Sequence, residues 1–267
     1  MTAWTSYLSS ADASASAAQG LTGSGVTALG FVLGAVIGSF LAAVLIRWPG
    51  GRSVAKGRSA CDGCGRTLRP LELIPILSWF LVRGKCRTCG AAIDKRNLAV
   101  EAGAALIGLT AILAHPLPLA VFTAVFGWWL FLLAALDVEH QWLPDRLTLP
   151  LIPAGLAGAW VGFGPGLEER LFGAAAGYLL LELIRLGYRL ARGREGLGGG
   201  DPKMLAAIGA WLGWASLPFV LLGAGLIGLG AVLAMRLRGR PVSGSDRLPL
   251  GTLMALAAWP MWLLLAP

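Results

Sequence analysis

The sequence predicts an all-α polytopic membrane protein of about eight transmembrane helices, with a small cytoplasmic zinc-ribbon-like loop domain. Three observations predict this. Of 267 residues, 56% are hydrophobic and only 13% charged, with a mean hydropathy of +0.71, a balance that suits a chain solvated by lipid rather than water. The apolar residues collect into eight segments, roughly 26–46, 98–114, 117–136, 146–163, 170–190, 203–215, 217–235 and 249–265. The four cysteines stand as two Cys-x2-Cys pairs in one polar loop.

In chain order, residues 1–25 form an Ala- and Ser-rich tail with no basic residue before the first apolar run. A cleavable signal peptide begins with a positively charged stretch, so segment 26–46 is expected to be a retained first transmembrane helix behind an external tail. Residues 47–97 form the cytoplasmic four-cysteine domain, and 98–267 the remaining transmembrane domain. Several segments approach the ~20 residues that span a bilayer, and the shorter ones must tilt, extend or span incompletely. Proline disfavours a continuing helix. It therefore marks turns at His115-Pro116-Leu117-Pro118 and at Ser216-Leu217-Pro218, where the apolar run 204–235 folds into a hairpin.

Charge sets the orientation. Eleven of the 22 Lys and Arg residues lie between Arg47 and Arg96. Arg185, Arg189, Arg192, Arg194 and Lys203 flank a glycine cluster, Arg146 follows the third segment, and Arg236, Arg238, Arg240 and Arg247 fill the last polar loop. Only Arg170 falls on the other side. Positive loops stay cytoplasmic, which puts both termini outside. The net charge of +8 is explained by this orientation and by attraction to anionic membrane lipid, so nucleic acid is not an expected partner.

Cys61-x2-Cys64 and Cys86-x2-Cys89 are separated by 21 residues, a spacing that fits four-thiolate tetrahedral zinc with no open position. Gly65 and Gly90 follow each pair, where a knuckle turn favours glycine. Two disulfides are the competing reading, disfavoured in a reducing compartment; empty reduced thiols are another. A structural zinc would help a loop with little core of its own to fold.

Asp137 and Asp201 are carboxylates at junctions between apolar segments and polar loops. Asp137 ends the run from Trp128 and opens Asp-x6-Pro-Asp at 137–145, while Asp201 closes Gly-x-Gly-Asp at 198–201. Carboxylates near hydrocarbon are costly to keep ionised, and two that converge suggest proton chemistry. Both fall at the cytoplasmic end of their segments in the orientation above.

These two motifs, in this order after two Cys-x2-Cys pairs, resemble the prepilin peptidases, membrane aspartic proteases. Gly38-Ser39-Phe40-Leu41, Arg47-Trp48-Pro49, Leu73 to Trp79, and Arg83-Gly84-Lys85-Cys86 extend the resemblance over about 34–265. It implies an aspartic peptidase domain over 98–267 in the bacterial inner membrane. The implied reaction removes the short basic leader of type IV prepilins or type II secretion pseudopilins, after a glycine at the cytoplasmic face. It also implies N-methylation of the new N-terminus from S-adenosylmethionine. No glycine-rich Rossmann loop identifies a donor site. Two departures, Ala42 where the family carries Asn and Asn97-Leu98 where it carries Tyr-Pro, lie in the half associated with methylation. The alternatives are a presenilin-like intramembrane aspartic protease, which shares Gly-x-Gly-Asp but not the cysteine module, and a non-catalytic zinc-stabilised membrane scaffold.

Asp137 and Asp201 are the expected catalytic pair, with Gly198, Gly200 and Lys203 in support. Each has a plainer reading. Asp201 could cap a helix, Asp137 could pair with an arginine, and Lys203 could anchor at the interface. Asp145 reads as an N-terminal helix residue. His140 stands one helical turn from Asp137 but reads as a solvated loop histidine, and His115 as an incidental turn residue. Most of the tryptophans read as interface-belt and packing residues. Glu101 and Glu182 lie within apolar segments; Glu101 also matches a family glutamate and is the candidate methyltransfer or substrate contact.

Overall fold

The computed structural model describes residues 3–54, 59–239 and 248–265, with side chains from residue 23 onward. Lys56, Arg58, Arg240 and Arg247, counted above among the loop cations, lie outside the described residues.

Long helices carry the chain: α1 (Ala3–Arg47), α3 (Lys95–Ala114), α4 (Leu119–His140), α5 (Asp145–Trp160), α6 (Leu167–Arg192), α7 (Asp201–Leu212), α8 (Leu217–Leu237) and α9 (Leu250–Leu265), with a short α2 (Leu77–Leu81) in the polar loop. Among the described residues there is no strand, only the isolated bridges Ala60–Thr67 and Lys85–Ala92. Every expected apolar segment is a helix. Five helical stretches, Gly23–Arg47, Lys95–Ala114, Leu119–His140, Leu167–Arg192 and Trp214–Leu237, are long and apolar enough to cross a membrane. α5, α7 and α9, with 16, 12 and 16 residues, fall short of the ~20 a perpendicular span requires.

Two boundaries differ from expectation. The helix begins at Ala3 rather than near 26, so the Ala/Ser-rich segment continues it; alanine is the best helix former. The hairpin break lies at Gly213, whose φ of +77° ends α7, and the chain passes through a 3-10 turn at Trp214–Ser216. Pro218 sits in the first turn of α8, where its missing N–H has no helical partner to lose.

The chain forms two compact units, Met1–Ala124 and Val125–Pro267. In the first, α1 packs along α3 through Gly30, Gly34 and Gly38. A Cβ at Gly38 would sit 2.7 Å from the Glu101 Cα, and one at Gly30 would sit 2.9 Å from the Gly108 carbonyl oxygen. Glycine every fourth residue on one face lets two backbones touch, which matters where lipid supplies no hydrophobic drive between helices.

In the second unit, α6 packs on α7 in the same manner: a Cβ at Gly177 would lie 2.7 Å from the Leu205 carbonyl oxygen. Phe126 of α4 stacks on Trp211 of α7 at 4.2 Å and 11°, and Trp262 of α9 meets both rings edge-on. The Trp211 indole N–H donates to the Leu151 carbonyl at 2.9 Å. Arg170, the expected outer-face cation, is fully buried. Its guanidinium donates to the carbonyls of Pro165, Phe163, Gly155 and Ala210. Ala210 lies in the last turn of α7, where free carbonyls favour a cation, and Gly155 lies in the C-terminal half of α5. The arginine therefore ties α5 to the end of α7, and Lys203–Asp145 ties their starts.

Candidate active site

Asp137 lies in the last turn of α4 and Asp201 is the first residue of α7. Both carboxylates are buried, at 5% and 8% exposure. The side chain of Leu143, in the loop between α4 and α5, reaches both neighbourhoods. A Cβ at Gly200 would stand 2.6 Å from the Leu143 Cβ, and one at Gly251 would stand 2.8 Å from its Cδ1 and 3.0 Å from the Asp137 Oδ2. The two carboxyls are near enough for their charges to act on each other.

Backbone N–H groups orient both acids. Asp137 Oδ2 accepts the Thr252 amide at 2.8 Å and lies 3.3 Å from the Thr252 hydroxyl. That hydroxyl has one proton, and its shorter contact, 2.9 Å, is with the Ala134 carbonyl. The Gly251 amide also acts on Asp137. The N-terminus of α9 therefore faces this carboxylate, an arrangement that stabilises negative charge through free amides and the helix dipole. Asp201 Oδ2 accepts the Gly198 amide at 3.0 Å.

This geometry separates the roles of the glycines. Gly198 presents its amide to Asp201. Gly200 is the N-cap position of α7 and leaves room for Leu143, while Gly199 faces open space. Asp201 is not the N-cap residue; Gly200 is, and it has no side chain to cap α7. Asp145 also departs from a capping role: its carboxylate holds Lys203 Nζ at 2.6 and 2.8 Å. Lys203 is thus directed at Asp145.

His140 Nε2 lies 3.8 Å from the Glu139 carboxylate. His115 is buried, with Nε2 lacking a hydrogen-bond partner among the described residues. Glu182 is ion-paired to Arg185 at 2.6 Å. Glu101, in the first unit, is buried and accepts the Ile76 amide at 2.7 Å and the Ser39 hydroxyl.

The four cysteines converge. Their sulfurs all lie within 4.8 Å of one another, with Cys61 and Cys89 Sγ at 3.7 Å. Tetrahedral zinc with Zn–S near 2.3 Å places its sulfurs about 3.8 Å apart, so the cluster can hold such an ion. The knuckles are built alike. Cys61 N–H donates to Arg66 and Gly65 N–H to Cys61, while Cys86 N–H donates to Ala91 and Gly90 N–H to Cys86. Gly65 and Gly90 take φ of +68° and +71°. Amides of Cys89 and Thr88 draw the Cys86 thiol down to about 6, towards the thiolate a metal requires.

Thr252, Gly251 and Leu143 carry no sequence signal of a role. Each acts through a contact that only the folded bundle creates.

The family model for the bacterial peptidase A24 N-terminal domain matches residues 32–115, and that for the type IV leader peptidase family matches 124–233. A prepilin leader peptidase/N-methyltransferase of Dichelobacter nodosus is 41% identical over 203 residues, covering 75% of this chain and 69% of the relative. Proteins of the same name from Pseudomonas aeruginosa and from Burkholderia pseudomallei (strain 1026b) are 40% and 38% identical. The former alignment covers 75% of this chain and 69% of the relative, the latter 85% and 82%. No solved structure matches the chain. By the extent of these matches, which take in both the cysteine module and the paired aspartates, the chain belongs to the type IV leader peptidase family.

Proposed function

We propose that this protein cleaves the basic leader from type IV prepilins or type II secretion pseudopilins at the cytoplasmic face of the bacterial inner membrane, and methylates the new N-terminus. The observation that carries the cleavage reading is the pair of buried carboxyls, Asp137 and Asp201, held near each other by the starts of α9 and α7.

Two neighbouring carboxyls resist double ionisation and share a proton. The ionised one takes a proton from water, and the protonated one donates to the scissile carbonyl oxygen. When the tetrahedral intermediate collapses, the leaving amine receives a proton and the pair returns to its starting state. Both residues fall at the cytoplasmic end of their helices in the positive-inside orientation, with both termini outside. Open space beside Gly199 gives an extended substrate backbone an approach next to Asp201.

In this reading Cys61, Cys64, Cys86 and Cys89 hold a structural zinc, which cross-links two knuckles and presents no open position. S-adenosylmethionine supplies an electrophilic methyl group, and the substrate's N-terminal amine must reach it uncharged. A presenilin-like protease or a non-catalytic scaffold is disfavoured by the combination of cysteine module and paired acids.

The test uses purified protein in detergent and a prepilin peptide spanning the leader junction. Mass spectrometry should find one cut after the leader glycine. Recovery of uncut peptide under all conditions, with zinc bound and the protein folded, would sink the cleavage reading.

A further inference from the structure

Within the first unit, a cavity of about 210 Å³ lies between the end of α1, the cysteine module and the start of α3. It is lined by Ser39, Arg47, Arg66, Trp79 and Glu101, among others. Ligand pockets commonly run to roughly 300–1,000 Å³, so this one suits a nucleoside-sized group rather than a dinucleotide.

Its polar groups are arranged for a ligand. Glu101 is buried, yet among the described residues its carboxylate meets only the Ile76 amide and the Ser39 hydroxyl. Two other lining carboxylates are committed to cations, Glu72 to Arg66 and Asp94 to Arg96. The Trp79 indole N–H and the Arg66 Nε are buried with no hydrogen-bond partner among the described residues. A buried donor left unpaired is costly, and both of these belong to residues that line the cavity.

Backbone strain converges here too. Ile76, a β-branched residue, holds φ of +62°, and its amide is the one bound by Glu101. Such strain persists where surrounding structure fixes it, and it clusters at ligand sites. Gly84, with φ of +67°, lies against the Trp79 ring: a Cβ there would stand 2.7 Å from the Trp79 Cζ2. Glycine therefore lets the loop close over the indole.

We propose that this cavity binds the adenosyl moiety of the methyl donor, a step that rests on the methyl-transfer reading above. A ribose diol offers two hydroxyl donors to the Glu101 carboxylate. Adenine ring nitrogens accept from Trp79 Nε1 and Arg66 Nε. Arg47 and Arg52 line the same cavity and supply cations for the donor's amino-acid carboxylate. In the transfer, the amine lone pair forms the N–C bond while the C–S bond breaks and its electrons remain on sulfur. The products are a neutral thioether and a secondary ammonium that releases its proton to water.

The test is isothermal titration of S-adenosylhomocysteine into the purified full-length protein in detergent, which reads binding without turnover. Wild type should bind one equivalent. Glu101→Gln should weaken binding about 10-fold or more, Trp79→Phe about 3- to 10-fold, and Ala43→Phe, which fills the cavity, should remove it. Zinc content and melting temperature report folding of each variant. If Glu101→Gln or Ala43→Phe loses zinc, Trp79→Phe decides the question, because it deletes one N–H and keeps the ring. Equal binding by wild type and all folded variants overturns the cavity assignment and leaves the methyl-transfer reading standing. A wild type that binds neither S-adenosylhomocysteine nor S-adenosylmethionine also overturns it. The methyl-transfer reading is judged separately, from whether cleaved pilin gains the mass of a methyl group.

Discussion

Thr252 donates its backbone N–H to the Asp137 carboxylate at 2.8 Å, joining positions 115 residues apart. This bond brings the first turn of α9 onto the last turn of α4 and fixes one member of the acid pair. Asp201 receives its amide from Gly198, only three residues away. One acid is thus held by distant structure and the other by its own loop.

Asp137→Asn and Asp201→Asn should each abolish leader cleavage while leaving membrane insertion and abundance unchanged. An amide keeps the shape of the acid but cannot exchange a proton in the same way. Activity in membranes from cells carrying each variant checks this. An active Asp137→Asn protein would falsify the assignment of the pair.

Gly251→Ala should lower kcat for cleavage about 10-fold with little loss of stability. The added methyl would lie 3.0 Å from Asp137 Oδ2 and 2.8 Å from Leu143 Cδ1. Leucine can rotate away, but the carboxylate must shift, and a small displacement of a catalytic group is costly in rate. A kcat equal to wild type in single-turnover assays would show that the α9 start does not position Asp137.

The sequence disclosed the eight helices because each apolar run is bounded by polar loops or prolines. The acid pair was legible because carboxylates beside hydrocarbon are rare. The α9 contact was not, since a backbone amide has no residue identity to recognise. Lys203 is a related case: its proximity in sequence to Asp201 gave no sign of its partner 58 residues away, Asp145. Arg170 read as a flanking charge because the carbonyls that surround it carry no sequence signature.

The Lys203–Asp145 pair should matter little to cleavage. Its groups are 29% and 56% exposed, and exposed ion pairs contribute roughly 0–1 kcal/mol. Lys203→Met and Asp145→Asn should each keep kcat/KM within about 5-fold of wild type. A loss of a hundredfold or more in either would place the pair in the catalytic machinery.

One zinc per chain is expected, and Cys86→Ser should reduce metal content and loosen the loop without touching the acids. Cys86 is the buried member of the set, so its loss opens the cluster from the inside. Elemental analysis and alkylation of the thiols give the measurement. No zinc in pure protein, with four freely reactive cysteines, would refute the metal reading.

Cleavage and methyl transfer require different chemistry, and that difference makes a last prediction possible. The acids activate water, whereas methyl transfer needs an uncharged amine presented to an electrophilic carbon. Glu101, one of the carboxylates that line the proposed donor cavity, belongs to the first unit, while both acids belong to the second. Given an already cleaved pilin and S-adenosylmethionine, the Asp137→Asn and Asp201→Asn proteins should therefore methylate it at the wild-type rate. Mass spectrometry of the mature N-terminus reads the outcome. Loss of methylation in both variants, with the wild type active and all proteins folded, would mean that the acid pair serves both reactions.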